Sequence, residues 1–90
     1  MQTIYKYEIG ISGEQELKMP DNAEIIKVAR SGDGRFYIWA FIDTDNLIVM
    51  RRLYVFGTGW PIPTEYDLGY YIDTFFDGPF VWHLFEVPND

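Results

Sequence analysis

Residues 51–63 read Arg51-Arg52-Leu53-Tyr54-Val55-Phe56-Gly57-Thr58-Gly59-Trp60-Pro61-Ile62-Pro63, an apolar strand that enters a loop rich in Gly and Pro. Because side chains alternate along a strand, the two adjacent arginines are expected on opposite faces. Gly57 and Gly59 permit backbone angles that other residues resist, and the two prolines fix φ and remove two hydrogen-bond donors. The loop is therefore expected to be shaped, either as a stiff corner of a small β fold or as a binding loop with Trp60 at its tip.

The remaining sequence alternates between short apolar stretches and turn residues. Ser31-Gly32-Asp33-Gly34 and Asp77-Gly78-Pro79 each separate two apolar stretches and predict two hairpins. The predicted strands cover residues 3–11, 14–19, 23–30, 35–43, 47–56, 70–76 and 80–87. This spacing favours a single all-β domain over residues 1–90, a small antiparallel sandwich or barrel-like fold of about seven short strands. The pattern does not choose between sandwich and barrel.

Three further predictions concern single segments. Residues 14–19 are short and charged, which is typical of an edge strand. Residues 35–43 are apolar on both faces, so this strand is expected in the centre of a sheet or against a second layer, with Trp39 in the core. Residues 64–69 are polar and are expected at the surface, where Thr64 could cap one helical turn.

The composition indicates a folded chain with more aromatic surface than a small core hides. The 90 residues are 48% apolar and 19% aromatic, and they include no cysteine. Disulfides and thiolate metal sites are therefore excluded, and a cytosolic protein without a signal segment or membrane-spanning run is expected. Because one modest core cannot bury so many aromatic side chains, homo-oligomerisation is expected.

The net charge of −7 is unevenly distributed along the chain. Residues 1–52 hold eight acids and seven bases, whereas residues 53–90 hold six acids and no Lys or Arg. An acidic surface repels phosphate backbones, so direct nucleic-acid binding is not expected. The acids are interpreted mainly as a means of solubility, with attraction of a basic partner surface as the alternative.

His83 is the only histidine in the chain, which excludes a His-rich metal site. Its neighbours Trp82 and Leu84 are apolar. We therefore expect a strand histidine with satisfied ring nitrogens, and the alternative is a polar contact to a ligand.

No other pattern predicts catalysis. Two pairs of acids, at positions 43 and 45 and at positions 73 and 77, lack the spacing of a calcium-binding loop and are interpreted as turn residues. Gly57-Thr58-Gly59 lacks the third glycine and the following helix of a dinucleotide-binding motif. The protein is therefore expected not to be an enzyme and to use no metal or other cofactor.

The residues do support a binding site for a small anionic ligand. Arginine clamps a phosphate or carboxylate with two hydrogen bonds, and an aromatic ring stacks on a nucleobase for about 1 to 3 kcal/mol. Both residue types occur within residues 51–60. The predicted ligand-binding residues are Arg51, Arg52, Tyr54, Thr58, Trp60 and His83.

Four segments carry a resemblance to known proteins: Thr3-Ile4-Tyr5-Lys6-Tyr7-Glu8, Ile38-Trp39-Ala40, Tyr54-Val55-Phe56-Gly57-Thr58-Gly59-Trp60-Pro61-Ile62-Pro63 and His83-Leu84-Phe85-Glu86. In these segments the chain resembles a family of small proteins encoded by bacteriophages and prophages. The Gly-Thr-Gly-x-Pro-Ile loop is the most distinctive part. Trp60 departs from the family, in which a smaller or polar residue often stands at that position.

The resemblance implies a phage accessory protein that acts in the host cytoplasm, and it brings no catalytic residues. Such proteins are often similar to counter-defence factors. The leading hypothesis is sequestration of a nucleotide-derived immune signal, of the cyclic ADP-ribose or cyclic dinucleotide type. The alternative is an acidic protein that covers a basic surface of a host defence nuclease such as a CRISPR effector, with Asp73 and Asp77 among its acids. Neither the ligand nor the partner follows from the sequence.

Overall fold

The computed structural model describes residues 1–11, 13–64 and 69–87. These residues form seven strands: β1 (Gln2–Ile9), β2 (Gly13–Pro20), β3 (Glu24–Arg30), β4 (Phe36–Asp43), β5 (Ile48–Gly57), β6 (Tyr70–Asp77) and β7 (Phe80–Val87). The first sheet has the order β1-β4-β3 and the second the order β2-β5-β7-β6, with every pairing antiparallel. The predicted all-β fold is confirmed, in the form of a small sandwich. The helical turn predicted after Thr64 lies largely outside the described residues.

The core lies between the two sheets and takes one face of each. Alternate residues of β4 point inward, and those of β5 and β7 meet them from the second sheet. The buried core residues are Ile9, Met19, Ala23, Val28, Phe36, Ile38, Ala40, Ile42, Leu53, Val55, Phe75, Trp82 and Leu84. The alternation predicted for these strands is therefore the one that builds the core.

The register of β3 against β4 shifts between Ile25 and Lys27. One extra residue on β3 re-aims the side chains that follow it. As a result Ile25 and Val28 pack in the core, while Ile26 is 49% exposed and lies outside with Lys27. The bulge thus places an apolar and a cationic side chain together on the outer face of the first sheet.

Trp39 is not in the core, contrary to the prediction. β4 is the central strand of its sheet, as predicted, but its core residues are the even-numbered ones. Trp39 is half-buried on the outer face, opposite Lys6 of β1 and Lys27 of β3. Both faces of β4 are apolar, so only the packing of the second sheet decides which face is covered.

The two sheets are connected where β3 runs beside β6. Asp73 accepts the backbone N–H of Val28 at 3.1 Å and that of Thr74 at 2.8 Å. At the end of the same two strands, Arg30 pairs with Asp77 at 3.1 Å. β2 lies at the opposite edge of the second sheet, as its short polar sequence predicts.

Candidate functional site

The loop after β5 turns sharply so that Trp60 lies over Gly57. The Trp60 N–H donates to the Gly57 carbonyl at 3.0 Å, and Gly59 adopts a φ of 85°. Only glycine takes that backbone conformation without strain. A Cβ on residue 57 would lie 2.7 Å from the indole Cε2 of Trp60. The two glycines therefore serve different purposes, one to make the turn and one to make room for the ring.

Trp60 packs edge-on against Trp82 of β7. The ring centroids are 5.4 Å apart and the ring planes meet at 89°. Trp60 remains 50% exposed, whereas Trp82 is only 8% exposed. The indole Nε1 of Trp82 is buried and has no hydrogen-bond acceptor among the residues that the structure describes. A buried N–H without an acceptor is unfavourable by about 1 to 3 kcal/mol, so this atom needs an explanation.

Two clefts flank the Trp60 ring. The first, here called the hairpin cleft, has a volume of about 320 Å³ and lies between the β5 loop and the β6–β7 turn. Its lining residues are Gly57, Thr58, Trp60, Pro79, Phe80, Val81 and Trp82. The second, here called the sheet cleft, has a volume of about 210 Å³ and opens on the outer face of the second sheet. Its lining residues are Phe56, Gly57, Thr58, Gly59, Trp60, Ile62, His83 and Phe85.

A chain of hydrogen bonds crosses the floor of the sheet cleft. Thr58 Oγ1 donates to the Val81 carbonyl at 3.2 Å, so the same oxygen accepts the Nε2–H of His83 at 2.8 Å. In the neutral ring Nδ1 is then an acceptor, to which Thr74 Oγ1 donates at 3.0 Å. Tyr71 OH in turn donates to Thr74 Oγ1 at 2.7 Å. His83 is therefore a strand histidine with both ring nitrogens satisfied, as predicted.

Aromatic side chains extend from the sheet cleft across the outer face of the second sheet. Tyr54 stacks on Phe56, with 4.3 Å between ring centroids and 25° between planes. Phe85 meets Phe56 edge-on at 5.7 Å, and Tyr71 meets Phe85 edge-on at 5.7 Å. Rings in these arrangements are favourable beyond their buried area. The wall of the sheet cleft is thus held by neighbouring rings on three strands.

Arg51 and Arg52 lie on opposite faces of β5, as predicted. Arg51 faces inward, where its Nε and Nη2 bind Glu86 at 2.7 and 2.6 Å and its Nη1 binds the Ala23 carbonyl. It is six residues from Gly57 on β5, roughly 20 Å. Arg52 lies on the outer face, where its Nε donates to Glu14 at 2.9 Å. One ligand at the clefts therefore does not meet both arginines.

The described acids of residues 53–90 are engaged inside the chain. Asp73 accepts two backbone N–H groups, Asp77 pairs with Arg30, and Glu86 forms the two-pronged pair with Arg51. Their charges are directed toward internal donors. They do not form an outward-facing acidic surface.

Three of the six residues predicted for ligand binding line the clefts: Thr58, Trp60 and His83. Tyr54 adjoins the sheet cleft through its stack on Phe56. The sequence missed the far wall of the hairpin cleft, Phe80 and Trp82. The hairpin that carries them was predicted, but its position beside the loop depends on the pairing of Gly57 with Trp82.

The described residues contain no group of three or more His, Asp or Glu side chains arranged to hold a metal ion. Within the same part of the chain, no helix has the length and apolar character needed to cross a membrane.

Comparison with known proteins finds one family. The family described as domain of unknown function DUF7352 matches residues 1–90. No curated protein and no solved structure matches the chain.

Proposed function

The chain belongs to the DUF7352 family, a domain of unknown function, and we propose from its own side chains that it is a non-enzymatic protein that sequesters a small nucleotide-derived ligand. One observation carries the proposal: a half-exposed tryptophan separates two clefts that have aromatic walls. Such walls suit a flat heteroaromatic ring. The volumes of about 320 and 210 Å³ suit single bases rather than a buried drug-sized molecule.

Stacking and one hydrogen bond would hold the base. A ring stacked on Trp60 gains about 1 to 3 kcal/mol. A carbonyl or ring nitrogen that reaches Trp82 Nε1 would supply the acceptor that this buried N–H lacks. Because Nε1 is covered in the ligand-free chain, binding there requires a side-chain movement at the cleft wall. Thr58 lines both clefts, and its hydroxyl oxygen, which donates to Val81 and accepts from His83, keeps one lone pair to accept a hydrogen bond from a ligand.

Arg52 is the residue that we assign to the phosphate. Lys and Arg are missing from the described linings of both clefts, so the cation must come from nearby. Arg52 shares the outer face of β5 with Phe56, four residues and roughly 13 Å away. Its present partner is Glu14, so a phosphate would have to compete with that carboxylate. The base is therefore the main determinant of affinity, and the phosphate adds to it.

The resemblance to phage proteins directs the choice of ligand toward the immune signals of a bacterial host. Asp73, Asp77 and Glu86 bind groups within the chain. These contacts argue against the rival function, an acidic inhibitor of a nuclease. Acids that already bind internal donors would have to break those bonds to bind a basic groove.

The first experiment is native mass spectrometry of the protein purified from a host with active nucleotide-signalling defences. A small molecule of nucleotide mass bound in fixed proportion to the chain would support the proposal. Isothermal titration with a cyclic dinucleotide, cyclic ADP-ribose and adenosine then compares the wild type with Trp60→Ala. We expect a loss of about fivefold to 150-fold in affinity, because one stacked base contributes about 1 to 3 kcal/mol.

Two control variants make the titration specific. Phe41→Ala removes an aromatic ring that is 42% exposed on the first sheet, and it should leave the affinity unchanged. Arg52→Ala should weaken nucleotides but not uncharged adenosine. If no probe binds, or if Trp60→Ala binds as the wild type does, the site or the ligand class is wrong.

A further inference from the structure

The outer face of the first sheet carries exposed apolar and charged side chains that no other described element covers. Phe41 is 42% exposed, Ile4 is 51% exposed and Ile26 is 49% exposed, with half-buried Trp39 among them. We propose that this face binds the same face of a second copy of the chain, in the register that places Lys27 opposite Glu24. This inference is independent of the ligand site, which lies on the second sheet.

The strand pairing arranges the face in cross-strand rows. One row is Lys6, Trp39 and Lys27, since both lysines pair with Trp39 across the sheet. The next row is Ile4, Phe41 and Glu24. Directly opposite residues share a face and lie about 5 Å apart, so each row is a short line of neighbouring side chains.

Two charges in these rows lack an internal partner. Neither the Lys27 ammonium nor the Glu24 carboxylate forms an ion pair or side-chain hydrogen bond with another described residue, and both side chains are exposed. Lys6 differs, because its Nζ lies 4.4 Å from the centre of the Tyr37 ring. A partner surface that gains affinity here must offer an acid opposite Lys27 and a base opposite Glu24.

A second copy offers both the acid and the base when a two-fold axis relates it to the first copy. This axis lies in the plane of the interface, runs perpendicular to the strands and passes between the two rows. The Trp39 row of one copy then lies on the Phe41 row of the other. Trp39 meets Phe41, Lys27 meets Glu24, and the aliphatic stem of Lys6 covers Ile4, each twice by symmetry. The two β4 strands run nearly antiparallel about 10 Å apart, as in aligned sheet packing.

Two alternative placements of the two-fold axis bring like charges together. A two-fold axis parallel to the strands places Lys6 of one copy on Lys27 of the other. An axis that crosses at Trp39 places Lys27 on Lys27. Like charges held together across an interface are unfavourable, so both of these placements are disfavoured. The register with the axis between the Trp39 and Phe41 rows instead gives both Lys27 and Glu24 a charge of opposite sign.

A nucleic acid is a poorer occupant than a second copy. The face mixes Lys6 and Lys27 with Glu8 and Glu24, and the whole chain carries a charge of −7. A phosphate backbone would meet the acids as well as the lysines. A second copy gives each unpaired charge its complement.

The area of the face predicts a weak dimer. Three strands about 4.8 Å apart and eight residues long cover roughly 14 by 26 Å, or about 370 Å² per copy. Stable interfaces bury about 800 Å² per partner. The dimer should therefore form at high protein concentration and dissociate on dilution, and it leaves both clefts of each copy open on the outer surfaces.

Sedimentation equilibrium of the full chain tests the proposal through a charge exchange. Lys27→Glu and Glu24→Lys each bring like charges together twice, so each should weaken the dimer about tenfold or more. The double variant K27E/E24K restores both pairs and should dimerise within about threefold of the wild type. A mixture of the two single variants should form the heterodimer, since each pair is then complementary again.

These residues are exposed, so far-UV circular dichroism should show an unchanged fold in every variant. A wild type that stays monomeric at millimolar concentration overturns the proposal. So does a double variant or a mixture that associates no better than the single variants. Tight binding of single-stranded oligothymidine that Lys27→Glu abolishes would assign the face to nucleic acid instead.

Discussion

The ring of Trp60 lies over the backbone of Gly57 so closely that a Cβ there would stand 2.7 Å from its Cε2 and 2.8 Å from its Nε1. This contact holds the ring between the two clefts and against Trp82. The absence of a Cβ on Gly57 therefore allows Trp60, on which the proposed ligand stacks, to take this position. The sequence predicts that Gly57 supplies backbone freedom, but its importance in the structure is the space beside it.

Gly57→Ala should displace Trp60 with little loss of stability. The ring is half-exposed and free to yield, so we expect a cost of about 1 kcal/mol, at the low end for overpacking. Near-UV circular dichroism should lose the signal of the Trp60–Trp82 pair, and ligand affinity should fall with it. Gly32→Ala is the matched control, because nothing lies within 4 Å of a Cβ there. A variant that keeps the wild-type tryptophan signal would show that the contact does not position the ring.

Replacement of Arg51 should be far more damaging than replacement of its neighbour. Arg51→Leu leaves the carboxylate of Glu86 and the Ala23 carbonyl without their donor, at a site where the Arg51 side chain is 17% exposed. We expect a loss of about 2 to 3 kcal/mol in the free energy of unfolding, between the values for exposed and fully buried pairs. Arg52→Leu breaks a pair whose side chains are both 37% exposed and should cost less than about 1 kcal/mol. Urea unfolding measures both, and equal losses would contradict the assignment of Arg51 to the fold.

Neutral His83 should be the Nε2–H tautomer. Thr58 Oγ1 already donates its proton to Val81, so it accepts from Nε2, and Nδ1 is left to accept from Thr74. Long-range ¹H–¹⁵N correlation spectroscopy reads this directly, and the chain has one histidine, so the assignment is unambiguous. Thr58→Val should remove the preference for the Nε2–H tautomer while leaving the strand intact. Observation of the Nδ1–H tautomer in the wild type would mean that the chain of hydrogen bonds runs in the opposite direction.

The bond between Tyr37 and Asp33 should make stability depend on pH in the acid range. Tyr37 OH donates to Asp33 Oδ2 at 2.6 Å, which lowers the pKa of the Asp33 carboxyl and raises the pKa of the Tyr37 phenol. A carboxyl with a lowered pKa in the folded state stabilises above its unfolded pKa, about 3.9, and that stability is lost as pH falls through the folded pKa. A phenol whose pKa is raised in the folded state stabilises the fold below its unfolded pKa, about 10. That stability is lost as pH rises through the folded pKa.

The advantage of the wild type over Tyr37→Phe should therefore be constant near neutral pH and shrink below about pH 4. Urea unfolding at pH 7 and at acid pH measures it. Tyr70→Phe is the control, since Tyr70 is 66% exposed and its hydroxyl has no bond to another described residue. An advantage that is equal at both pH values would show that the charge on Asp33 is irrelevant to the bond.

Much of the fold was predictable because its signals are local. Apolar alternation locates the strands, and glycine-rich turns locate the hairpins at residues 31–34 and 77–79. The opposite faces of Arg51 and Arg52 follow from strand geometry alone. The satisfied histidine was predicted from its apolar neighbours, although the two threonines that satisfy it were not.

The remaining features depend on residues far apart in the chain. Trp39 was predicted in the core, but a strand that is apolar on both faces gives no local sign of which face a second sheet will cover. The bulge that exposes Ile26 and the pairing that brings Trp82 beside Gly57 are likewise set by the register between strands. A one-residue shift in register exchanges the two faces, so these positions are decided only when the sheets form.

The sequence by itself determined an all-β chain, its turns, its central and edge strands and the divergence of its two arginines, because each depends on neighbours within a few residues. The tertiary structure decided which aromatic rings are buried and which remain open. In it, Arg51 and the described acids of residues 53–90 bind groups within the chain, and Trp60 lies between two clefts. The physical reason is that hydrogen-bond partners, and the strands that cover a face, are distant in sequence. The register between such strands cannot be predicted from a local pattern.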